Sequence, residues 1–92
     1  MPRIDIRRRH ALPPDQARAA VEQVAAKVRD KYGVEARWQG NTLAFERPGV
    51  KGSIAVGADE VRVVVELGLL LGALKGPIEQ EIRRQLDARF GA

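Results

Sequence analysis

His10 is the single imidazole of the chain and follows directly on Arg7, Arg8 and Arg9, the densest run of charge in the sequence. A histidine in such company could move a proton beside an anion, but general acid–base work needs an orienting partner and a substrate site. The spacing supplies neither, and a turn or capping role accounts for His10 more simply. The arginines could read an anionic surface. In an extended segment, however, Arg7 and Arg9 share a face with Arg3 and Asp5, and charge on the outer side of an edge strand protects it from unwanted pairing. The carboxylates are scattered: Asp59 and Glu60 sit in a turn-like stretch, and Glu79 and Glu81, two residues apart near a helix start, point different ways. Thr42 and Ser53 are the only hydroxyl side chains besides Tyr32, and no Gly-x-Ser-x-Gly elbow or glycine-rich phosphate loop is present. Absence of cysteine removes disulfides, thiolate nucleophiles and sulfur-ligated zinc. These residues specify no catalytic centre, so the expectation is a protein that is not an enzyme and that uses no cofactor or metal.

Binding is the remaining chemistry, and charge and apolarity are its two signals. Sixteen Lys and Arg against twelve Asp and Glu give a net charge of +4, a mild excess that permits polyanion binding without specifying it. Single-stranded nucleic acid is read with aromatics interleaved among basic groups. Tyr32, Trp38, Phe45 and Phe90 all fall at core positions by periodicity, so a nucleic-acid partner would rest on charge alone and is disfavoured. The apolar signal is Leu67 to Leu74, too short for the roughly 20 residues of a transmembrane helix. Gly68, Gly72 and Gly76 recur every four residues there, which on an α-helix would gather them on one face for close packing. Leu69, Leu70 and Leu71, with Lys75 at their edge, either pack over a sheet or form a patch for a partner.

The elements that must position these residues follow from periodicity. Ile4 and Ile6 alternate with Arg3, Asp5 and Arg7, predicting a strand over 3–9. Pro13 and Pro14 break it and open a helix in which Ala17, Ala20, Val21, Val24, Ala25, Val28 and Tyr32 fall three and four apart, with Gly33 as its left-handed stop. The period then returns to two. Val34-Ala36-Trp38 and Leu43-Phe45 form a hairpin about Gly40-Asn41, Ile54-Val56 a further strand, and Val61-Val63-Val65-Leu67 a last one. Val64 interrupts the charged face of that strand, which predicts an interior or covered position. Gly76-Pro77 opens a final helix with Ile78, Ile82, Leu86 and Phe90 on one side. At 92 residues there is room for a single domain. The expected fold is α+β: a two-layer domain with an antiparallel sheet in β-α-β-β-β-β-α order, a long N-terminal helix and a C-terminal helix on one face. With no signal-peptide pattern at Met1 to Asp5, a cytoplasmic location is expected.

Leu74-Lys75-Gly76-Pro77-Ile78-Glu79 is the most specific stretch of the chain. Together with Ile4-x-Ile6-x-Arg8-x-His10, Lys31-Tyr32-Gly33, the Trp38-x-Gly40-x-Thr42-Leu43-x-Phe45 hairpin and Gly49-Val50-Lys51-Gly52, it resembles the small bacterial family of polyhydroxyalkanoic acid system, or granule-region, proteins. Pro13-Pro14 departs from the family pattern at the first helix boundary. The resemblance implies association with the storage polyester polyhydroxyalkanoate, its granule surface or granule-associated proteins, and it implies no catalytic residues. The candidate binding residues are Leu69, Leu70, Leu71 and Lys75, with Arg7, Arg9 and His10 as a second, basic group. Two other readings stay open: a module enclosing an acyl chain or other hydrophobic ligand, and a nucleic-acid-binding regulator. A homodimer through the edge strand or the glycine face is compatible with a domain of this size.

Overall fold

The computed structural model describes residues 3–90, with the side chains of Leu69 and Leu70 outside the described set. The order is β1 (Arg3–Arg9), α1 (Pro14–Tyr32), β2 (Glu35–Gln39), β3 (Thr42–Arg47), β4 (Val50–Val56), β5 (Glu60–Leu67), a 3-10 helix (Leu69–Leu74) and α2 (Lys75–Phe90). The expected α+β architecture is present, with one adjustment: the long helix is the second element, since β1 precedes it. The five strands form one sheet in the order β1-β5-β4-β3-β2, every neighbouring pair antiparallel. The hairpins β2-β3-β4-β5 are consecutive, and β1 closes the sheet beside β5. β1 and β2 are therefore the edges, β4 is central, and β5 is interior as its two-sided apolarity predicts.

Alternation decides which face is covered. Ile4 and Ile6, Val61, Val63, Val65 and Leu67, Ile54, and Leu43 and Phe45 lie on one side and are buried. The helices supply the other half of that core. α1 contributes Ala17, Ala20, Val21, Val24, Ala25 and Val28, six of the seven residues its spacing predicts, with Tyr32 half-buried at the core's edge, and α2 contributes Ile78, Ile82 and Leu86. Small and β-branched residues on α1 let its axis lie close to the sheet. Gly52 serves the same packing from β4: a Cβ there would stand 2.5 Å from Cε2 of Phe45, so the ring lies across bare backbone.

Both ends of α1 follow ordinary terminus chemistry. Pro14 occupies the first turn, where its missing N–H is not needed, and the Pro13 carbonyl accepts from Ala17 N–H at 2.9 Å. Gly33, at φ 68°, donates to the Arg29 carbonyl at 2.7 Å and ends the helix. Among the described residues no helix is long and apolar enough to cross a membrane.

Two expectations about the C-terminal third change. The last helix begins at Lys75, one residue ahead of the expected opening at Gly76-Pro77; the 3-10 helix runs straight into it, and Pro77 falls in its first turn. The three glycines do not share a helical face either. Gly68 is extended, and a 3-10 helix has about three residues per turn, so a spacing of four rotates each glycine about a third of a turn from the last.

Candidate functional site

The apolar segment is held on the sheet by the β3–β4 turn. Gly49, at φ 85°, makes that turn, and its carbonyl accepts from Gly68 N–H at 2.8 Å; Leu71 N–H in turn donates to the Gly68 carbonyl at 3.0 Å. Leu71 packs on the edge of the core, its Cδ1 only 3.0 Å from where a Cβ on Gly49 would stand. Any side chain at Gly49 would meet both a strained backbone and this leucine. Past Leu71 the segment turns outward: Ala73, Leu74, Lys75, Gly76 and Pro77 are exposed, and Leu74 shows 41% of its surface. Ile78, one position further, is buried again. The segment is thus divided between Leu71, which anchors it, and an exposed apolar tip at Leu74 flanked by Lys75.

Arg7, Arg9 and His10 lie elsewhere. They stand toward the Glu60 end of β5, whereas the apolar segment follows Leu67 at its other end, so about 17 Å of strand separates Arg7 from it and about 23 Å separates Arg9. Arg7 and Arg9 are exposed on the outer side of edge strand β1, as the alternation predicts, and Arg7 meets Glu60 at 3.8 Å. Arg8 points to the helix side and pairs with Asp87 of α2. His10 is a structural latch. Its Nδ1 accepts from Leu12 N–H at 3.1 Å, which leaves Nε2 to donate to the Gly57 carbonyl at 3.0 Å, and its ring lies 5.4 Å from that of Phe90. With both nitrogens engaged, the imidazole ties the end of β1 to the β4–β5 turn and to the end of α2. The candidate residues therefore form two separate groups.

Several polar arrangements escaped the sequence reading. Arg62 donates to both Asp5 oxygens, at 3.1 and 2.7 Å, across the outer side of β1 and β5. That hydrogen bonding holds the Asp5 carboxyl below its ordinary value and raises Arg62 above its own. The alternation of both strands placed the two residues on one face; only the register brought them into adjacent rows. Glu81 is buried at the seam of the helices, beside Lys31 of α1 and Arg84 of its own helix, rather than solvated at a helix start. Trp38 on edge strand β2 donates to Glu22 at 2.7 Å, with the Arg18 guanidinium 3.9 Å from its ring centre.

Two hollows lie toward the β2 side of the sheet. The larger, about 690 Å³, sits by the β3–β4 turn and is edged by Glu35, Glu46, Arg47, Lys51 and Glu66. The second, about 560 Å³, runs along β2 past Arg29, Arg37 and Glu46. Charged side chains of both signs border each of them. Among the described residues no three imidazole or carboxylate groups converge to hold a metal ion.

A family model described as "Putative polyhydroxyalkanoic acid system protein" matches residues 4–90, from the first buried residue of β1 to the last residue of α2. The chain belongs to this polyhydroxyalkanoic acid system family. No curated protein and no solved structure gives a significant match. The match spans every strand and both helices, so the polyhydroxyalkanoic acid system family is assigned to the whole fold, the latch at His10 and the tip at Leu74 included.

Proposed function

We propose that this protein is a non-catalytic accessory protein of polyhydroxyalkanoate storage that attaches to the polyester granule surface through the tip of its 3-10 helix. The observation that carries the reading is Leu74, a large apolar side chain left 41% exposed beside exposed Ala73 and Pro77 on an otherwise well-packed helical layer. A polyester inclusion offers an apolar surface, and burying a leucine against one gains roughly 25 cal/mol per Å² removed from water. Lys75 at the rim keeps its charge toward water or toward acidic groups at the granule boundary. Family membership supplies the process, and the anchoring of Leu71 explains how the tip is presented rigidly.

An acyl-chain carrier would need an apolar interior hollow, whereas the hollows described here are bordered by charge, so that reading gains no support from the geometry. The same holds for nucleic acid: Arg7, Arg8 and Arg62 are engaged with carboxylates, and the four aromatics pack in or on the core. The test is cosedimentation of the purified protein with protein-free polyhydroxyalkanoate particles over a salt series, against an inert apolar bead. Salt-resistant binding that prefers the polyester and is lost in Leu74→Asp, with far-UV dichroism unchanged, is the expected result. No binding at any salt overturns direct attachment.

A further inference from the structure

The sheet ends in two strands of different character. β1 carries Arg3, Arg7, Arg8 and Arg9, so two such edges repel each other, whereas β2, Glu35-Ala36-Arg37-Trp38-Gln39, carries one charge of each sign. Hydrogen bonding fixes which backbone groups β2 leaves free. Val56 N–H donates to the Asn41 carbonyl at 2.9 Å. By alternation Leu43 and Phe45 also turn their backbone groups toward β4, and Thr42, Ala44 and Glu46 turn theirs toward β2. Their partners Gln39, Arg37 and Glu35 are thereby used, so Val34, Ala36 and Trp38 aim their N–H and carbonyl groups away from the sheet. Among the described residues no backbone hydrogen bond meets them there.

From this edge we infer that the protein forms a homodimer by pairing β2 antiparallel with β2 of a second copy, about a two-fold axis through Ala36, so that the two sheets become one. Register decides it. An axis through Ala36 sets Glu35 opposite Arg37 of the second copy, and Arg37 opposite its Glu35, in the non-hydrogen-bonded positions where side chains lie closer. Ala36 then faces Ala36, Val34 faces Trp38, and each of these pairs exchanges two backbone hydrogen bonds. An axis at Glu35 or at Arg37 would put like charges face to face, and one at Trp38 would oppose neither charge to its opposite. With the axis at Ala36, like charges of β2 meet only along diagonals, about 7–8 Å apart.

The rest of the outer face leaves these two groups available. One row across the sheet runs Arg3, Glu66, Lys51, Glu46, Glu35, alternating in sign until it ends on two carboxylates; the next ends at Arg37. Among the described residues neither Glu35 nor Arg37 makes an ion pair. Arg37 of the second copy continues the first row with the sign it lacks. The helical layer agrees with the same axis. α1 runs beside β2 in the opposite direction: Arg18 donates to the Gly40 carbonyl at 3.1 Å, Glu22 accepts from Trp38, and Arg29 borders the hollow along β2 with Val34 and Glu35. Ala25 and Ala26 therefore stand level with Ala36, with which they line a smaller recess of about 370 Å³. Exposed Glu22 comes level with Arg29 of the second copy, and the small side chains between them leave room for both helices. A foreign strand would need both charge orders reversed, whereas a second copy supplies them by symmetry. A strand of five residues buries less than the roughly 800 Å² per partner of a standard interface, so the dimer dissociates in the micromolar range and weakens with salt.

This inference does not depend on granule attachment, because the tip at Leu74 lies on a different element. Sedimentation equilibrium of the full chain across the micromolar range tests it. A reversible monomer–dimer equilibrium is expected. Glu35→Arg and Arg37→Glu should each weaken it about tenfold, and the two together should bring it back to within about threefold of the original. A chain that stays monomeric throughout, or single losses that add in the double variant instead of cancelling, overturns the inference. Amide hydrogen exchange of the unaltered chain at low and high concentration guards against misfolded variants. The Ala36 and Trp38 amides should slow as the dimer forms, while the Arg37 amide, bonded to β3, is already protected in the monomer. A dimer that leaves the Ala36 and Trp38 amides fast overturns this interface.

Discussion

The two faces of the sheet are made by the same strands, residue by residue in alternation, yet they have opposite physical characters. Toward the helices β1, β3, β4 and β5 send Ile, Val, Leu or Phe and edge strand β2 sends Ala36 and Trp38, and Val61, Val63 and Leu67 reach zero exposure. Toward solvent the same strands send Arg, Glu and Lys, among them Lys51 on central β4 and Arg62 and Glu66 on β5, around a middle row of Val64, Ser53 and Ala44. The covered face obtains its stability from volume packed under α1 and α2, and substitutions there act through cavities, clashes or buried charge. The open face holds its charges in water or in paired clusters, so its substitutions act on surface interactions. One residue of offset therefore separates a folding position from a surface position.

Adjacent residues on β5 and β4 make this contrast measurable. Val63→Asp should be the most damaging change, costing about 4 kcal/mol or more by burying a lone carboxylate, a large share of the ~5 to 14 kcal/mol expected for a chain of this length. Val64→Asp, one residue on, should stay within about 1 kcal/mol in urea denaturation. Comparable losses at the two sites would mean that the outer face is covered in the monomer. Next comes Gly52→Ala, expected to cost about 1 to 3 kcal/mol because Phe45 must yield to the new methyl group, against about 0.5 kcal/mol or less for Ser53→Ala. A neutral Gly52→Ala would show that the ring relocates freely.

The smallest effect concerns the Asp5–Arg62 pair. Its folded-state carboxyl is depressed, so the pair stabilises the fold above the unfolded carboxyl's ordinary value, and that contribution fades as pH falls through the lower, folded value. Arg62→Gln should remove this contribution at neutral pH and flatten the acid limb of the stability–pH curve. An unchanged acid limb would show that the pair, being exposed, adds nothing measurable.

Much of this was legible in the sequence because it is local. The period of two at Ile4-Ile6 and Val61 to Leu67, and the three-four spacing from Ala17 to Val28, report which side of an element is apolar, and one side must be buried. Gly33 as a helix stop and Gly40-Asn41 as a hairpin turn are likewise local matters of backbone angle. The functional residues were less legible. Leu69, Leu70 and Leu71 read alike in sequence, and only the contact between Leu71 and the Gly49 turn assigns one leucine to anchoring and leaves Leu74 at the tip; Leu69 and Leu70 lie outside the described side chains. Glu81 looked like a helix-start carboxylate because nothing along α2 announces that α1 passes beside it.

The sequence by itself determined the type of every strand and of both α-helices, since periodicity, proline and glycine act through the chain's own geometry. The tertiary structure decided which elements are neighbours. It set β1 beside β5, bringing Arg62 onto Asp5; it took His10 from a bare arginine run and made it a latch to Gly57 and Phe90; and it kept Arg9 about a strand's length from the leucines. The physical reason is that strand order and register are fixed by the burial of whole faces against one another, a property of the assembled core that no single segment contains.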